Sequence, residues 1–407
     1  MEVGDVVSGV EWWNEMPADW WKEVGEHLER EILGRLPAED VYRYRRVCNK
    51  WKILLSSKYF ITHTWPDAAI NKQPWLVLCD LLPNNPCMGF CFNTRTWKPC
   101  FSLSFPDEER NIEVKCRGSA AGLVLVDRKN LAPRVCNPYS GNSVQLPPML
   151  AIGDRILFKC IAEDNKNNNR AYKVVAIGID ENIQASVVEM YDSSQQAWKV
   201  FGPIPEYRPL FDFSSFVCCD DSYYSIISEP WSVFGFTVTT VNEEPEPNPI
   251  SILVVPIPEP VLRNLLEIQL VTCGSRLLLA APIEEIMGEQ VITIFELESE
   301  NKQCHPLSTN NRTPWAWKEI GRMPAAMFDV LGIAIPPRYK CIVVGDNVCF
   351  ATVRPVSIDV VVYNLTTRSW SLLPSCPWRN HYWKNGYPHL ESLWPMVFQP
   401  RLDTQVQ

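Results

Sequence analysis

The segment EMYDSSQQAWKVFGPIP at residues 189–205 predicts a β-hairpin. An apolar run ends at an aromatic residue, an Asp opens a polar turn, and a Trp begins a returning strand that soon meets proline. Asp and Ser favour such turns because their side chains bond to the neighbouring backbone. The segments CFNTRTWKPC (91–100) and VVYNLTTRSWSLLPSCP (361–377) follow the same plan. A hairpin that recurs in this form is typical of a β-rich repeat fold.

The hairpin plan recurs at a nearly constant interval. Looser copies occur in VCNPYSGNSVQLPP (135–148) and in a segment that ends with WAWKEIGRMP (315–324), and PISILVVPIP (249–258) fills one more position. The equivalent residues are Trp97, Gln145, Trp198, Ile257, Trp317 and Trp370. Their spacing of roughly 50 residues is the length of one four-stranded propeller blade. Residues 66–400 therefore hold about six blades at this spacing. The alternative is an irregular pair of β-sandwiches with chance similarities between turns.

A propeller must join its two ends. We expect PMVFQP (395–400) to supply a strand beside PWLVLCDL (74–81), so that one blade contains strands from both ends of the domain. Long amphipathic helical patterns are missing from this part of the sequence, which argues against alternating strands and helices.

The first 65 residues differ from the rest of the chain in proline content and in the spacing of their apolar residues. Trp20 to Phe60 contains a single proline, Pro37, and its apolar residues recur at helical spacing. One stripe consists of Val41, Tyr44, Val47, Cys48, Trp51, Leu54 and Leu55, and a shorter one of Leu28, Ile32, Leu33 and Leu36. The pattern predicts two or three short packed helices, with Pro37 in the first turn of the second.

Composition narrows the classes of function. The net charge of −9 argues against a general binder of nucleic acid or anionic membranes. No apolar run is long enough to predict a membrane span, and the first residues do not resemble a signal peptide. The 15 scattered cysteines then indicate reduced thiols in an intracellular protein. We expect the nucleus and/or the cytoplasm, with no nucleic-acid or membrane partner.

Candidate chemical sites are sparse. Cys87 and Cys91 have no second ligand pair nearby for zinc, and adjacent Cys218 and Cys219 would point to opposite faces of a strand. The run YRYRR (42–46) interleaves bases with aromatics, but a solvated helix face or a match to an acidic partner explains it better than nucleic acid does. Motifs for a serine nucleophile or a phosphate loop do not occur. The sequence predicts a non-catalytic protein without metal or cofactor.

Residues 24–60, VGEHLEREILGRLPAEDVYRYRRVCNKWKILLSSKYF, resemble an F-box. The family pattern is Leu-Pro-x-Glu-Ile-Leu, a spacer, Leu-Pro, then Val-Cys-x-x-Trp and a later Phe. The matching residues are Leu28, Glu31, Ile32, Leu33, Leu36, Pro37, Val47, Cys48, Trp51 and Phe60. The first proline of the pattern is replaced by Glu29, which raises the question of weaker binding to the family's adaptor.

The rest of the chain is similar to the kelch-type or F-box-associated β-propellers of land-plant F-box proteins. The segments carrying that similarity are GLVLVD (122–127), NPYSG (137–141) and YDSSQQAW (191–198). The double glycine of kelch blades is missing, so the subclass stays open. The expected fold is a multidomain α+β chain with a small helical F-box and a six-bladed all-β propeller. The expected domains are an acidic Trp-rich segment (1–23), the F-box (24–65), the propeller (66–400) and a tail (401–407).

The resemblance implies a substrate-recognition subunit of an SCF-type cullin-RING ubiquitin ligase. The F-box would bind the S-phase kinase-associated adaptor protein, which connects to a cullin, and the propeller would hold an unknown target protein for degradation. The implied adaptor-binding residues are Leu28, Ile32, Leu33, Leu36, Pro37, Val47, Cys48 and Trp51. Two or three helices cannot bury this many apolar groups, which favours a partner surface. The alternative is that these residues pack only against the propeller.

A target-binding surface is expected in the aromatic segment 375–395, with Trp378, Tyr382 and Trp383 as its candidates. The same rings would otherwise pack between blades. Two further functions stay open at this point. One is a kelch-like scaffold that does not assemble into a ligase, and the other is a propeller enzyme or small-molecule sensor.

Overall fold

The computed structural model divides the chain into two compact units, residues 1–72 and 73–407. The structure describes residues 25–57, 59–64, 74–80, 86–102, 114–128, 131–163, 171–180, 185–203, 211–219, 222–228, 231–241, 244–263, 268–284, 290–299, 315–331, 339–353, 358–377, 393–399 and 401.

The first unit is helical. It consists of α1 (Glu26–Gly34), α2 (Ala38–Tyr44), α3 (Asn49–Ser56) and a π-helical turn (Phe60–Thr64). Its interior is formed by Leu33, Val41, Leu55 and Phe60, one from each of these elements. A Cβ on Gly34 would lie 2.6 Å from the side chain of Thr64, so the approach of α1 to the π-helical turn requires glycine there.

Two details of the helix prediction were wrong. Pro37 lies just before α2 as its N-cap, where its carbonyl accepts hydrogen bonds from the amides of Asp40 and Val41 at 3.0 Å. The apolar stripe from Val41 onward is not continuous, because a turn at residues 45–47 separates α2 from α3. Cys48 is the extended N-cap of α3, and its Sγ accepts a hydrogen bond from the Trp51 amide at 3.4 Å. A short turn that preserves helical spacing escapes a periodicity argument.

The second unit contains 24 described strands. The strands of its first half are β1 (Trp75–Asp80), β2 (Pro86–Cys91), β3 (Thr96–Ser102), β4 (Val114–Ala120), β5 (Leu123–Arg128), β6 (Leu131–Cys136), β7 (Ser143–Gln145), β8 (Ile152–Glu163), β9 (Tyr172–Asp180), β10 (Ala185–Asp192), β11 (Ala197–Pro203) and β12 (Phe211–Cys219). The remainder are β13 (Ser222–Ser228), β14 (Trp231–Val241), β15 (Glu244–Pro256), β16 (Gln269–Cys273), β17 (Arg276–Glu284), β18 (Gln290–Ser299), β19 (Trp315–Arg322), β20 (Lys340–Val344), β21 (Asn347–Val353), β22 (Ile358–Asn364), β23 (Ser369–Leu372) and β24 (Leu393–Phe398). A 3₁₀ turn (Glu259–Arg263) follows β15, and a short helix, α4 (Ala325–Leu331), follows β19.

These strands form six antiparallel four-stranded sheets, the blades of a propeller. Blade 1 is ordered β24-β1-β2-β3, and blades 2 to 6 take four consecutive strands each, from β4–β7 to β20–β23. The first strands of neighbouring blades, β24, β4, β8, β12, β16 and β20, lie beside one another in a closed ring. The prediction of six blades is confirmed, and each of the six spaced residues lies in or directly after the last strand of its blade.

The ring closes as the sequence predicted. Strand β24 pairs antiparallel with β1 over six residue pairs, from Trp75 opposite Phe398 to Asp80 opposite Leu393. Blade 1 thus contains strands from both ends of the second unit. The core lies between neighbouring blades, where buried apolar side chains of adjacent sheets form shared clusters.

Hydrogen bonds from repeated Trp residues to Pro carbonyls connect blade 1 with blade 6, blade 3 with blade 2 and blade 5 with blade 4. The indole nitrogen of Trp97 donates to the carbonyl of Pro374 at 2.6 Å, Trp198 to Pro147 at 2.9 Å and Trp317 to Pro256 at 2.9 Å. Each tryptophan lies on the last strand of blade 1, 3 or 5, and each proline ends the last strand of the preceding blade or follows it. Between blades 5 and 6 the Tyr363 hydroxyl donates to the Ile320 carbonyl at 2.5 Å.

Candidate functional site

The helical unit presents apolar side chains to solvent. Leu28 and Ile32 lie one turn apart on α1 and are 58% and 43% exposed, and Val47, in the turn before α3, is 60% exposed. Burying these side chains against a partner would remove apolar area from water, which is favourable. We call Leu28, Ile32 and Val47 the apolar surface. It is the feature of this unit that best fits a protein partner.

The other predicted adaptor contacts are less accessible. Leu36, Pro37 and Trp51 are partly buried, and Cys48 is exposed. Leu33 is 3% exposed and belongs to the interior of the helical unit. The eight residues are therefore exposed, partly buried or buried, and their assignment to one binding surface stays a prediction.

Glu29, which replaces the family proline, has a role that the sequence did not reveal. It is 6% exposed, and its carboxylate accepts hydrogen bonds from the Lys50 ammonium at 2.5 Å and from the indole nitrogen of Trp51. Burial opposes ionisation of Glu29, but the bonds from Lys50 and Trp51 and the Lys50 charge outweigh it, so the pKa of Glu29 lies below its ordinary value. Glu29 thus joins α1 to α3 as a carboxylate.

Arg45 completes the framework around α3. Its guanidinium donates to the carbonyl of Leu55 at 2.9 and 3.3 Å, near the end of that helix, where backbone carbonyls lack helical partners. Burial lowers the pKa of Arg45, against a smaller opposing effect of Tyr42. The basic run 42–46 therefore includes at least one residue that stabilises the helical unit.

The sequence analysis did not propose three further exposed side chains as partner contacts. Ile53 on α3 is 73% exposed, and Tyr42 and Tyr59 also face solvent. Ile53 lies beside Leu54 and Leu55 in the sequence, so a plain apolar run concealed its outward direction. A helix turns about 100° per residue, so a residue that lies between two members of an apolar stripe points away from that stripe. Ile53 lies between Trp51 and Leu54 of the predicted stripe, and this position could have indicated its exposure.

The predicted target-binding residues Trp378, Tyr382 and Trp383 lie outside the described residues, as does the Trp-rich segment 1–23. In the described part of the propeller, burial raises the pKa of the Cys160 and Cys341 thiols well above the ordinary value. Such thiols stay protonated, which makes them poor nucleophiles and metal ligands. Among the described residues, no group of three or more His, Cys, Asp or Glu side chains has a geometry suited to a metal ion.

The described helices include none of the length and apolar character that crossing a membrane requires.

Comparisons with known proteins agree with this architecture. Residues 21–63 match the F-box domain family. The protein "F-box only protein 6" of Arabidopsis thaliana is 22% identical over 381 residues, which cover 91% of this chain and 72% of that protein. An F-box/kelch-repeat protein of the same plant is 22% identical over 213 residues, 48% of this chain and 52% of its own length.

Among solved structures, a chain of a nidogen/laminin complex superimposes with a TM-score of 0.42 at 10% identity, covering 81% of this chain and 99% of that one. A similarity of this extent carries no functional information. The sequence and the two units together give the assignment: the chain has an F-box domain at its N-terminal end and a six-bladed β-propeller after it, and its homologues are plant F-box proteins, some with kelch repeats.

Proposed function

We propose that the protein is the substrate-recognition subunit of an SCF-type cullin-RING ubiquitin ligase. An F-box followed by a propeller fits such adaptors in general, and F-box proteins are generally non-catalytic receptors. The observation that carries the proposal is the apolar surface of Leu28, Ile32 and Val47, which lies within the F-box and is exposed. Covering it with the S-phase kinase-associated adaptor protein would remove apolar area from water.

The propeller would hold the target protein, with Trp378, Tyr382 and Trp383 as proposed contacts. Closed rings of blades are rigid frames whose connecting loops carry binding residues. The complete proposal includes a cullin partner through the adaptor, ubiquitin-dependent degradation of an unidentified protein, and a location in the nucleus and/or cytoplasm. Fluorescence microscopy of the tagged chain tests the location.

The test is co-purification of the adaptor with the full-length chain. We expect the double variant Leu28→Gln/Ile32→Gln to lose most of the adaptor, because it removes the exposed apolar pair while glutamine preserves helix propensity. The matched control is Leu150→Gln, which changes an exposed leucine of the propeller.

Equal recovery of adaptor with the wild type and the double variant contradicts the assignment of this surface. Absence of both adaptor and cullin from the wild-type purification favours the scaffold alternative instead. Circular dichroism of each variant shows whether the helical content is preserved, which separates lost binding from lost folding.

A further inference from the structure

A cavity of about 390 Å³ lies within the F-box unit, between α1 and the π-helical turn. One wall consists of residues of α1 and of Arg35, which follows that helix, and the other consists of Tyr59 and residues of the π-helical turn. The lining residues are His27, Arg30, Glu31, Gly34, Arg35, Tyr59, His63 and Thr64. The volume is at the small end of the range for small-molecule sites.

The lining is polar and carries cationic groups. Among the described lining residues, Arg30 and Arg35 contribute two positive charges and Glu31 one negative charge, a formal balance of +1 when histidine is counted as neutral. Tyr59 and Thr64 add hydroxyl donors, and His27 and His63 add ring nitrogens. This set of donors suits a ligand with several acceptor oxygens and a negative charge.

Arg30, one of the lining residues, packs over an aromatic ring that also lines the cavity. Its guanidinium carbon lies 5.4 Å from the centre of the Tyr59 ring, and that ring stacks on His63 with centroids 4.8 Å apart. The Nε of Arg30 is buried and has no hydrogen-bond partner among the described residues. A buried donor without a partner is costly, and a bound acceptor would satisfy it.

We propose that this cavity binds a phosphate monoester. A monoester offers three acceptor oxygens and close to two negative charges at neutral pH, which matches two arginines and neutral donors better than a single carboxylate does. The cavity has room for more than the phosphate group, so the rest of the ester also lies in it. The phosphate belongs either to a small metabolite or to a phosphorylated side chain, and both present the same group.

The experiment measures binding to the full-length chain by titration calorimetry, with inorganic phosphate, free phosphoserine and a neutral peptide containing one phosphoserine as probes. We expect saturable binding of at least one phosphoserine probe, weakened about tenfold or more by Arg30→Gln through loss of a charge-assisted hydrogen bond. Glu31→Gln should strengthen binding, because it removes a negative charge from the cavity. Tighter binding of the peptide identifies a phosphorylated protein as the source, and tighter binding of free phosphoserine identifies a small metabolite.

The matched control is Arg46→Gln, which removes an exposed arginine that does not line the cavity. The inference is overturned if Arg46→Gln weakens binding as much as Arg30→Gln, or if neither phosphoserine probe binds to the folded wild type. It is also overturned if Glu31→Gln leaves the affinity unchanged or lowers it. Loss of folding would weaken binding in any variant. It cannot explain stronger binding in Glu31→Gln together with weaker binding in Arg30→Gln.

Discussion

The F-box and the propeller each bury a glutamate, but they satisfy it differently. In the F-box, Glu29 accepts hydrogen bonds from the side chains of Lys50 and Trp51. In the propeller, Glu189 on β10 is fully buried and accepts bonds from three successive backbone amides, Leu150 at 2.7 Å, Ala151 at 2.7 Å and Ile152 at 2.6 Å. Glu29 thus connects α1 with α3, and Glu189 binds the segment that leads into β8, the first strand of blade 3.

This difference follows from what each unit has available. Strands bind one another through their backbones, but the segment between β7 and β8 has left one blade and not yet joined the next. The bond from the Ile152 amide at the start of β8 is buried, and those from Leu150 and Ala151 are partly buried. These amides need an acceptor because unpaired amides shielded from water are costly. Backbone groups inside a helix bond to one another, and the Glu29 carboxylate between α1 and α3 takes its partners from side chains. The comparison predicts a larger structural effect for Glu189 than for Glu29.

The largest expected effect is that of Glu189→Ala. Removing the carboxylate leaves three amide groups without their acceptor, and we expect a loss of about 3–5 kcal/mol in the free energy of unfolding. Urea unfolding followed by circular dichroism measures it. The control is Glu298→Ala, which removes a propeller carboxylate whose pair with Lys318 is exposed to solvent. Equal losses in the two variants would contradict the role assigned to Glu189.

A smaller effect is expected from Glu29→Gln. The neutral amide weakens the bond with the Trp51 indole, which we expect to cost about 1–2 kcal/mol of local stability in the F-box. Hydrogen exchange of α1 and α3, followed by mass spectrometry, should speed up while exchange in β10 stays unchanged. If Glu29→Gln and Trp51→Phe have additive effects on that exchange, the two side chains do not act as a bonded pair.

The sequence revealed the repeat but not these two carboxylates. Trp97, Trp198, Trp317 and Trp370 lie near the start of the last strand of blades 1, 3, 5 and 6, and their spacing, together with that of Gln145 and Ile257, was enough to predict six blades. Glu189 looked like a polar residue within a strand, since its partners lie 37 to 39 residues away in the chain. Periodicity describes which face a residue occupies, and it does not describe contacts made across a loop.

The F-box shows the same limit at shorter range. The family pattern correctly located the helical region, and Leu28 and Ile32 proved exposed on α1. Glu29 was interpreted only as a missing proline, because its partners Lys50 and Trp51 become neighbours once α1 and α3 pack together. The cavity beside Arg30 was missed for the same reason: its walls come from two segments about 25 residues apart.

A third prediction concerns the hydrogen bond of Trp198, which joins blades 2 and 3. The Trp198 indole bonds to the neutral carbonyl of Pro147, whereas the Trp51 indole bonds to a carboxylate. We expect loss of the Trp198 bond in Trp198→Phe to cost about 1 kcal/mol, apart from the loss of ring area. Urea unfolding measures it, with Trp370→Phe as the control for ring area in a blade of the same propeller. A smaller loss for Trp198→Phe than for Trp370→Phe would contradict a stabilising contact between blades 2 and 3.

The smallest expected effect is a dependence on pH that belongs to the F-box alone. The pKa of Glu29 is lowered from its ordinary value of 4.5, so the folded state binds a proton less readily than the unfolded state. The resulting stability is fully present above about pH 5 and is lost as the pH falls below 4.5 through the folded-state pKa. The stability difference between wild type and Glu29→Gln should therefore narrow on acidification.

Hydrogen exchange in α1 and α3 at pH 7 and pH 4, corrected for the intrinsic effect of pH on exchange, measures this narrowing. The glutamine variant cannot titrate at position 29, so it serves as the reference for all other acidic groups of the unit. A difference that stays constant or widens at pH 4 would show that Glu29 does not act as a carboxylate in the folded F-box. Its bond to Trp51 would then be that of a neutral side chain. Glu29 and Glu189 would in that case differ only in the kind of donor they bind, side chains for Glu29 and backbone amides for Glu189.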